Sequence, residues 1–503
     1  MILKNKTISI ILIICMLLVE IAIAWRGDQG IQNGIFADET ETIYIWYTDE
    51  SLTDYISSAA LDFYDEKGIR VVPVLHSGLE YMEAINQASI SGNEVPDLYI
   101  AGTDTIKKAA MAGLAVPVQD VNGMLTQINY PVTALDAVTY HEQKFAYPFY
   151  YETAFLLYNE TYLEEIANSA LQTEIAEAMQ SEDEGTEDGA VEDIGMEDIN
   201  ENTASQNAIP EGYTEEEWNG MVADKVVELI PDSIGDILDI ANNYNPPENV
   251  ENIFLWDVSD IFYNYFFTGA SMNLGGRYGD DASQIMIYNE ETIASMNVYQ
   301  QLHHFFSIES KESSYEDVIN EFIEGKSIFT IATTDAIVTL NEAIAAGSFP
   351  YSYNVADLPD VDAEHAATGL STTSAVMVNG YSENQKAANE FAQYLTNGCS
   401  NTLFERTGKL QTAYGTEDYA TDVCDRITEI YKNTVSLPKI FEISNFWIQL
   451  ELTYTQVWDG ADANQMLLEL SEQMKTQIAG EAVTEEVITL PAESEETDEL
   501  EEE

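Results

Sequence analysis

From Glu41 onward the chain alternates between two hydrophobic periods. Thr42-Ile43-Tyr44-Ile45-Trp46-Tyr47 reads as a strand, and Leu52, Tyr55, Ile56, Ala59, Ala60 and Phe63 then recur at helical spacing until Gly68. A second strand runs from Ile69 to Leu75, a helix lies near Leu79 to Ser91 and stops at Gly92, and Pro96 to Ala101 forms a third strand. Repeated β-α-β units build parallel sheets, and such sheets bind ligands beyond the carboxyl ends of their strands. The loops that follow the first and third strands are therefore candidates: Thr48, Asp49 and Glu50 in one, Thr103 and Asp104 in the other. Asp49 and Asp104 equally suit the role of helix caps, and position alone does not choose between the two.

Further along, Phe145-Ala146-Tyr147-Pro148 leads through Glu152 to Leu157-Tyr158-Asn159, and Phe322 to Ile331 reads as a helix, a Gly325 stop and a buried strand. Ser382 with Gln385 has the spacing of a capping box, followed by the apolar face Ala387, Ala388, Phe391, Ala392 and Leu395. Leu437-Pro438-Lys439-Ile440, Ser444-Asn445-Phe446-Trp447 and an amphipathic helix over Asp462 to Ile478 close the series. In order and spacing these stretches, together with Ile43 to Leu114, resemble the extracellular solute-binding proteins of family 1, the maltose-binding-protein-like group. The resemblance covers roughly residues 41–165 and 230–480.

It implies a two-lobed α/β fold of the type II periplasmic-binding-protein kind, each lobe a central sheet flanked by helices, with a ligand cleft between them. One lobe would take 41–150 and 376–412, the other 151–375 and 413–480. The implied function is that of the solute-binding component of an ABC importer, which closes on a carbohydrate by hinge motion near Tyr150, Ser374 and Leu410 and delivers it to a membrane permease. Glu152 and Asp260 align with sugar-contacting carboxylates, Asp260 lying beside Phe262 and Tyr263, and Trp447 aligns with an aromatic platform. Asp49 and Asp104 fall where the family uses acidic contacts, with Trp46, Tyr150 and Tyr151 close in sequence. The pattern departs from the sugar-binding members at Glu50 and Thr105, which stand where those carry basic residues, and at Ala101 and Asp335, which stand where they carry tryptophans. A cleft rich in acids and poor in Lys and Arg also suits a polyamine or other cation, and a membrane-tethered sensor or scaffold without transport shares the same requirements.

Composition sharpens this. The chain has 503 residues, 89 Asp and Glu against 19 Lys and Arg, and a formal charge of −70. No basic cluster is present to neutralise phosphates, so nucleic acid is excluded as a partner, and an acidic solvated surface is expected throughout. Lys4 and Lys6 precede an apolar run from Ile8 to Ala24 that ends in Ala22-Ile23-Ala24, so the chain is expected to be exported with residues 1–24 as a signal peptide or retained membrane anchor and 25–40 as a linker. Cys15 lies inside that run, and Cys399 and Cys424 neither require nor forbid a bridge. Glu182 to Glu201 holds ten acids and no Lys or Arg, and no basic residue follows Lys475. A disordered insertion over about 179–212 and a disordered tail over 481–503 are expected on this composition. The histidines at 76, 141, 303, 304 and 365 show no metal-ligand spacing, and no HExxH, GxSxG, P-loop or GxGxxG frame occurs. No metal, cofactor or catalytic residue is expected, and the protein is expected to act as a monomer. A glycosidase using two carboxylates is the alternative from a different class.

Overall fold

In the computed structural model, residues 41–490 are described apart from 93–94, 121, 184–208, 211, 310–313, 399–401, 416–421 and 441–444. The expected signal segment with Cys15, the linker, Cys399, most of the acidic insertion and residues 491–503 lie outside them.

Fifteen strands are named in chain order. They are β1 (Thr42–Tyr47), β2 (Arg70–Leu75), β3 (Leu98–Gly102), β4 (Thr139–Tyr140), β5 (Gln143–Lys144), β6 (Ala146–Thr153), β7 (Phe155–Asn159) and β8 (Asn252–Phe254). The rest are β9 (Asn273–Leu274), β10 (Ile285–Met286), β11 (Ser327–Ala332), β12 (Tyr353–Ala356), β13 (Leu370–Val378), β14 (Leu410–Gln411) and β15 (Val435–Ser436). Two sheets carry the architecture. The larger has the order β14-β6-β13-β3-β1-β2 with β15 also on β13, and the smaller has the order β12-β7-β11-β8.

The first units form as their periodicity predicts. β1 pairs in parallel with β2 and β3, with Ile45 opposite Leu98 and Trp46 opposite Tyr99. Its alternate residues bury on opposite faces: Ile43 and Ile45 join one core cluster, and Trp46 packs with Tyr81 and Tyr99 in another. A strand buried on both sides reads as a near-continuous apolar run, which is why this stretch shows little polar alternation. The helix Thr53–Lys67 buries Tyr55, Ile56, Ala59, Ala60 and Phe63 and ends at Gly68 with φ +73°, a left-handed cap that costs glycine nothing.

β13 departs from the parallel expectation. It returns from the smaller sheet and inserts between β3 and β6, antiparallel to both. Its register against β6 shifts between Ser374 and Ala375, where Phe149 is the extra residue, and such a bulge re-aims the side chains beyond it, here Tyr150 and Glu152.

The core of the smaller sheet centres on two buried indoles whose polar edges are satisfied. Trp256 Nε1 donates to Asn264 Oδ1 and Trp458 Nε1 to the Ile308 carbonyl, each at 2.9 Å. Their rings meet edge to face at 5.5 Å, a favoured aromatic arrangement. The terminal helix Ala463–Ala479 forms where the sequence places it, with Asp462 as its cap.

Three expectations are corrected. Ser382 does not form a capping box, since the helix Gln385–Gln393 starts from Asn384, and the Ser382 hydroxyl instead donates to the buried carboxylate of Asp97. Residues 481–490 are not a loose acidic tail. Glu485 pairs with Lys475 at 2.6 Å, Asn464 donates to the Ile488 carbonyl, and the Ile488 amide donates to Tyr288 Oη. Composition suggested disorder because it counts charge and misses that Ile488 and Leu490 pack on the core. Similarly, the first part of the expected insertion continues the helix Glu160–Asp183. Among the described residues no helix is long and apolar enough to cross a membrane.

Gly269 lies where the backbone leading into β13 passes closest. A Cβ there would fall 2.0 Å from the Thr368 carbonyl oxygen and 2.9 Å from the Tyr265 ring. Gly269→Ala is expected to lower stability by about 1–3 kcal/mol, read as a lower thermal midpoint, and an unchanged midpoint would refute this close approach.

Candidate functional site

Strand direction decides where a cleft can form. β13 is antiparallel to both β3 and β6, so β6 runs parallel to β1 and β3 and all three carboxyl ends share one edge of the larger sheet. β6 then passes through Ala154 directly into β7 of the smaller sheet. β11 is antiparallel to β7, with Ala332 opposite Phe155, and β8 is parallel to β11, so the carboxyl ends of β8 and β11 come back toward the same crossing. Loops from both sheets therefore converge on Ala154, a switch point of the kind at which α/β proteins bind ligands.

On the larger sheet's side the convergence places Asp49 after β1, Asp104 after β3 and Glu152 at the end of β6. Between two of these acids stands Lys409, presented by Gly408 (φ +70°) at the end of the helix Leu403–Thr407. Its Nζ lies 3.2 Å from Asp49 Oδ2 and 3.2 Å from Glu152 Oε1, and 5.5 Å from the Tyr150 ring centroid. Burial works against the Lys409 ammonium, but Glu152 and Asp49 outweigh it and push its pKa up to about 12. Burial alone would raise Asp49; hydrogen bonds from the Ser51 hydroxyl and amide together with the Lys409 charge reverse this and hold its carboxyl below the usual range. Asp49 also caps the turn Glu50–Leu52, so one carboxylate makes both the cap and the ion pair with Lys409.

The smaller sheet's side is aromatic. Asp260 caps the short helix Ile261–Asn264 by accepting from the Phe262 amide at 2.8 Å. Tyr263 stacks on Tyr315, with centroids 4.4 Å apart and planes 13° apart. The Tyr315 hydroxyl accepts from the Thr333 amide at 3.1 Å and donates to Asp335 Oδ1 at 3.2 Å, which ties the stack to the loop after β11. Trp447 is half-buried and meets Tyr265 edge to face at 5.7 Å. Burial, and secondarily the neighbouring Asp257 charge, raises the Asp260 carboxyl despite its amide partner.

A second seam joins the sheets' flanking elements. The β4–β5 turn holds His141 and Glu142 at φ +46° and +62°, and the His141 amide donates to Asp280 Oδ2 at 2.8 Å. Arg277 grips Asp136 with both Nε (2.8 Å) and Nη2 (3.1 Å). Lys439, only 2% exposed, donates to the Tyr278 carbonyl at 2.6 Å and the Asp136 carbonyl at 3.2 Å. Burial lowers its pKa to about 8, with Asp280, Asp136 and Asp104 opposing that shift. Asp104 is accessible to solvent as a residue, but its crowded carboxyl is raised by desolvation, partly offset by its own amide, that of Thr105 and Lys439.

The other sequence candidates lie elsewhere in the site's surroundings. Trp46 is 5% exposed and stacks on His76 at 3.7 Å, on the core side of the sheet. Glu50 is exposed on the turn after Asp49. Asp335 is also exposed, and Tyr315, from a neighbouring helix, supplies an aromatic ring beside it. Lys409, Lys439 and Tyr315 were not singled out as site residues from sequence. A lysine between Gly408 and a two-residue strand carries no pattern; its only signal is rarity in a chain with 19 basic residues. Among the described residues no group of three or more His, Cys, Asp or Glu is placed to hold a metal ion.

A family model described as bacterial extracellular solute-binding protein matches residues 58–412. The structure is similar to that of a cyclo/maltodextrin-binding protein complexed with maltotetraose, at 20% identity and TM-score 0.64 over 87% of this chain and 97% of that one. It is similar as well to an extracellular solute-binding protein from Staphylococcus aureus in complex with maltose (15% identity, TM-score 0.66, 88% and 99% of the two chains). A maltose-binding periplasmic protein from Listeria monocytogenes in complex with maltose gives 16% identity and TM-score 0.64 over 89% and 100%. At these identities the likeness establishes the two-lobed fold. No curated protein matches the chain.

The depressed Lys439 has a definite sign. Its native pKa of about 8 lies below the ordinary 10.5, so between those values the native state holds fewer protons than the unfolded chain. Stability therefore rises with pH across that window, by at most roughly 3 kcal/mol from this group. Between pH 7.5 and 10, calorimetry of the wild type and Lys439→Met is expected to show the difference in midpoint shifting in favour of the wild type; parallel pH profiles would refute a buried ammonium.

Proposed function

The chain belongs to the bacterial extracellular solute-binding proteins, and from that premise we propose that it binds a carbohydrate between its two lobes and delivers it to an ABC transporter permease. The observation that carries this reading is the chemistry of the convergence at Ala154. One rim offers accessible carboxylates and an ammonium held in fixed positions, and the other offers aromatic rings at Tyr263, Tyr315, Phe262 and Trp447. Sugars present hydroxyls at their edges and C–H patches on their faces, so polar anchors opposite flat rings suit them. The three structural relatives described above carry maltose or maltotetraose in their solved complexes.

We assign sugar hydroxyl contacts to Asp49, Glu152 and Asp104 from the first lobe and to Asp260 and Asp335 from the second, with Trp447 and the Tyr263–Tyr315 stack as platforms; Trp46 and Glu50 would act by supporting the Asp49 loop. The lobes would exchange at Ala154, between residues 356 and 370, and beyond Gln411. Closure would bring the rims together, because ligand contacts made by both lobes favour the closed state over the open one. Residues 1–24 would direct export, and the protein would act as a monomer at the outer face of the cell membrane.

A calorimetric screen of the full chain against maltose, maltotriose, other oligosaccharides and monosaccharides tests the reading, since a ligand bound only by the native state raises its melting temperature. Saturable binding of a sugar is expected, and silence across the panel would sink the carbohydrate assignment. For the best sugar, Trp447→Ala is expected to weaken binding by at least about tenfold, with far-ultraviolet circular dichroism unchanged. Unfolding of that variant would identify the ring as core.

A further inference from the structure

The position of Lys409 says more than that the cleft contains a cation. Asp49, Glu152 and the Tyr150 ring form an acidic seat with an aromatic wall, the arrangement that attracts an ammonium group. In this chain the seat is taken by a side chain: the Lys409 Nζ stands 3.2 Å from an oxygen of each carboxylate. We propose that Lys409 is a specificity-determining residue that occupies the amine seat of the cleft from within, so that the site takes a neutral polyhydroxylated ligand and excludes polyamines. The neutral ligand's identity rests on the carbohydrate reading; the exclusion of amines rests on the geometry of the seat.

The need for such a device follows from the charge. A surface at −70 concentrates cations around the protein, so polyamines would compete for any cleft that presented two bare carboxylates. A tethered ammonium competes with them at high effective concentration, because Lys409 is delivered by a fixed turn. That turn is well defined: the Gly408 amide donates to the Phe404 carbonyl at 2.7 Å and the Lys409 amide to Thr407 Oγ1 at 3.1 Å. A Cβ at Gly408 would lie 2.6 Å from Val338 Cγ2, so the helix Thr334–Ala346 fixes the turn from the other side. The Lys409 side chain is 23% exposed, whereas Glu152 remains 40% exposed. The lysine is thus seated below the carboxylate, which keeps a face for a ligand hydroxyl. Burial would discharge an unpaired lysine, but the paired acids keep this one charged to about pH 12, so the seat stays filled at any physiological pH.

The test is isothermal titration of spermidine and of maltotriose into the full chain at about 0.15 M salt, where exposed charges are screened beyond about 8 Å. Wild type, Lys409→Met, Lys409→Gln and Lys409→Arg are compared, with melting curves to report folding. The wild type and Lys409→Arg are expected to show no saturable spermidine binding, and Lys409→Met and Lys409→Gln to gain it by at least about tenfold over the wild type, equivalent to about 1.4 kcal/mol. Saturable spermidine binding by the wild type, or folded Met and Gln variants that gain none, would overturn the proposal. If both variants fail to fold, the wild-type titration decides. A gain of spermidine binding in the variants with no sugar bound by the wild type would leave Lys409 in its role and remove the carbohydrate reading alone.

Discussion

The architecture turns on one peptide segment. β6 and β7 are a single extended run interrupted only at Ala154, and each half is hydrogen-bonded into a different sheet. Because β6 lies parallel to β1 and β3 while β11 and β8 both run against β7, this run brings five strand ends toward one place. Asp49, Asp104, Glu152 and Asp260 sit at or just beyond these ends, and Lys409 reaches them from the turn that precedes β14. The bulge at Phe149 belongs to the same constraint: it lets β6 keep its pairing with β13 on both sides while changing which way Tyr150 and Glu152 face.

Electrostatics is organised against the overall charge. In a chain with 89 acids and 19 bases, two lysines are placed where they are hard to keep, in reduced solvent and close to the junction of the lobes. They solve the problem differently. Lys409 is compensated by two carboxylates and is driven further toward its charged form, whereas Lys439 is held by backbone carbonyls and driven toward neutrality. The distinction follows from depth and partners together: Lys439 is so deeply buried that desolvation outweighs the charges of Asp280, Asp136 and Asp104, whereas the more accessible Lys409 touches two carboxylates directly. One lysine therefore behaves as a permanent fixture, and the other as a group whose charge is poised near the pH of mildly alkaline surroundings.

Much of the fold was legible because local signals agreed. The faces of Thr53–Lys67 and Ala463–Ala479 and the stops at Gly68 and Gly92 all follow from spacing and residue type. The site was legible only in part. Asp49 and Asp104 follow from their place after strand ends, and Glu152, Trp447 and Asp260 from resemblance. Lys409 was invisible because it reaches Asp49 across 360 positions of sequence, through a sheet order that places β14 beside β6. Tyr315 was hidden likewise, since its stacking partner Tyr263 lies on a separate element. Ser382 shows the converse error, where a correct local motif lost to a buried tertiary partner, Asp97. Residues 481–490 were misread because composition averages over a window, whereas a few apolar contacts at Ile488 and Leu490 suffice to dock a short segment.

That docked segment bears on how the molecule resists proteolysis. A peptidase attacking this stretch meets a backbone whose Ile488 amide and carbonyl are both engaged, by Tyr288 and Asn464, and whose Glu485 is fastened to Lys475. Peptidases need an extended, released strand, so digestion would stall at that point rather than unravel the terminal helix. Residues 481–490 thus act as a clasp on the terminal helix rather than as a loose end.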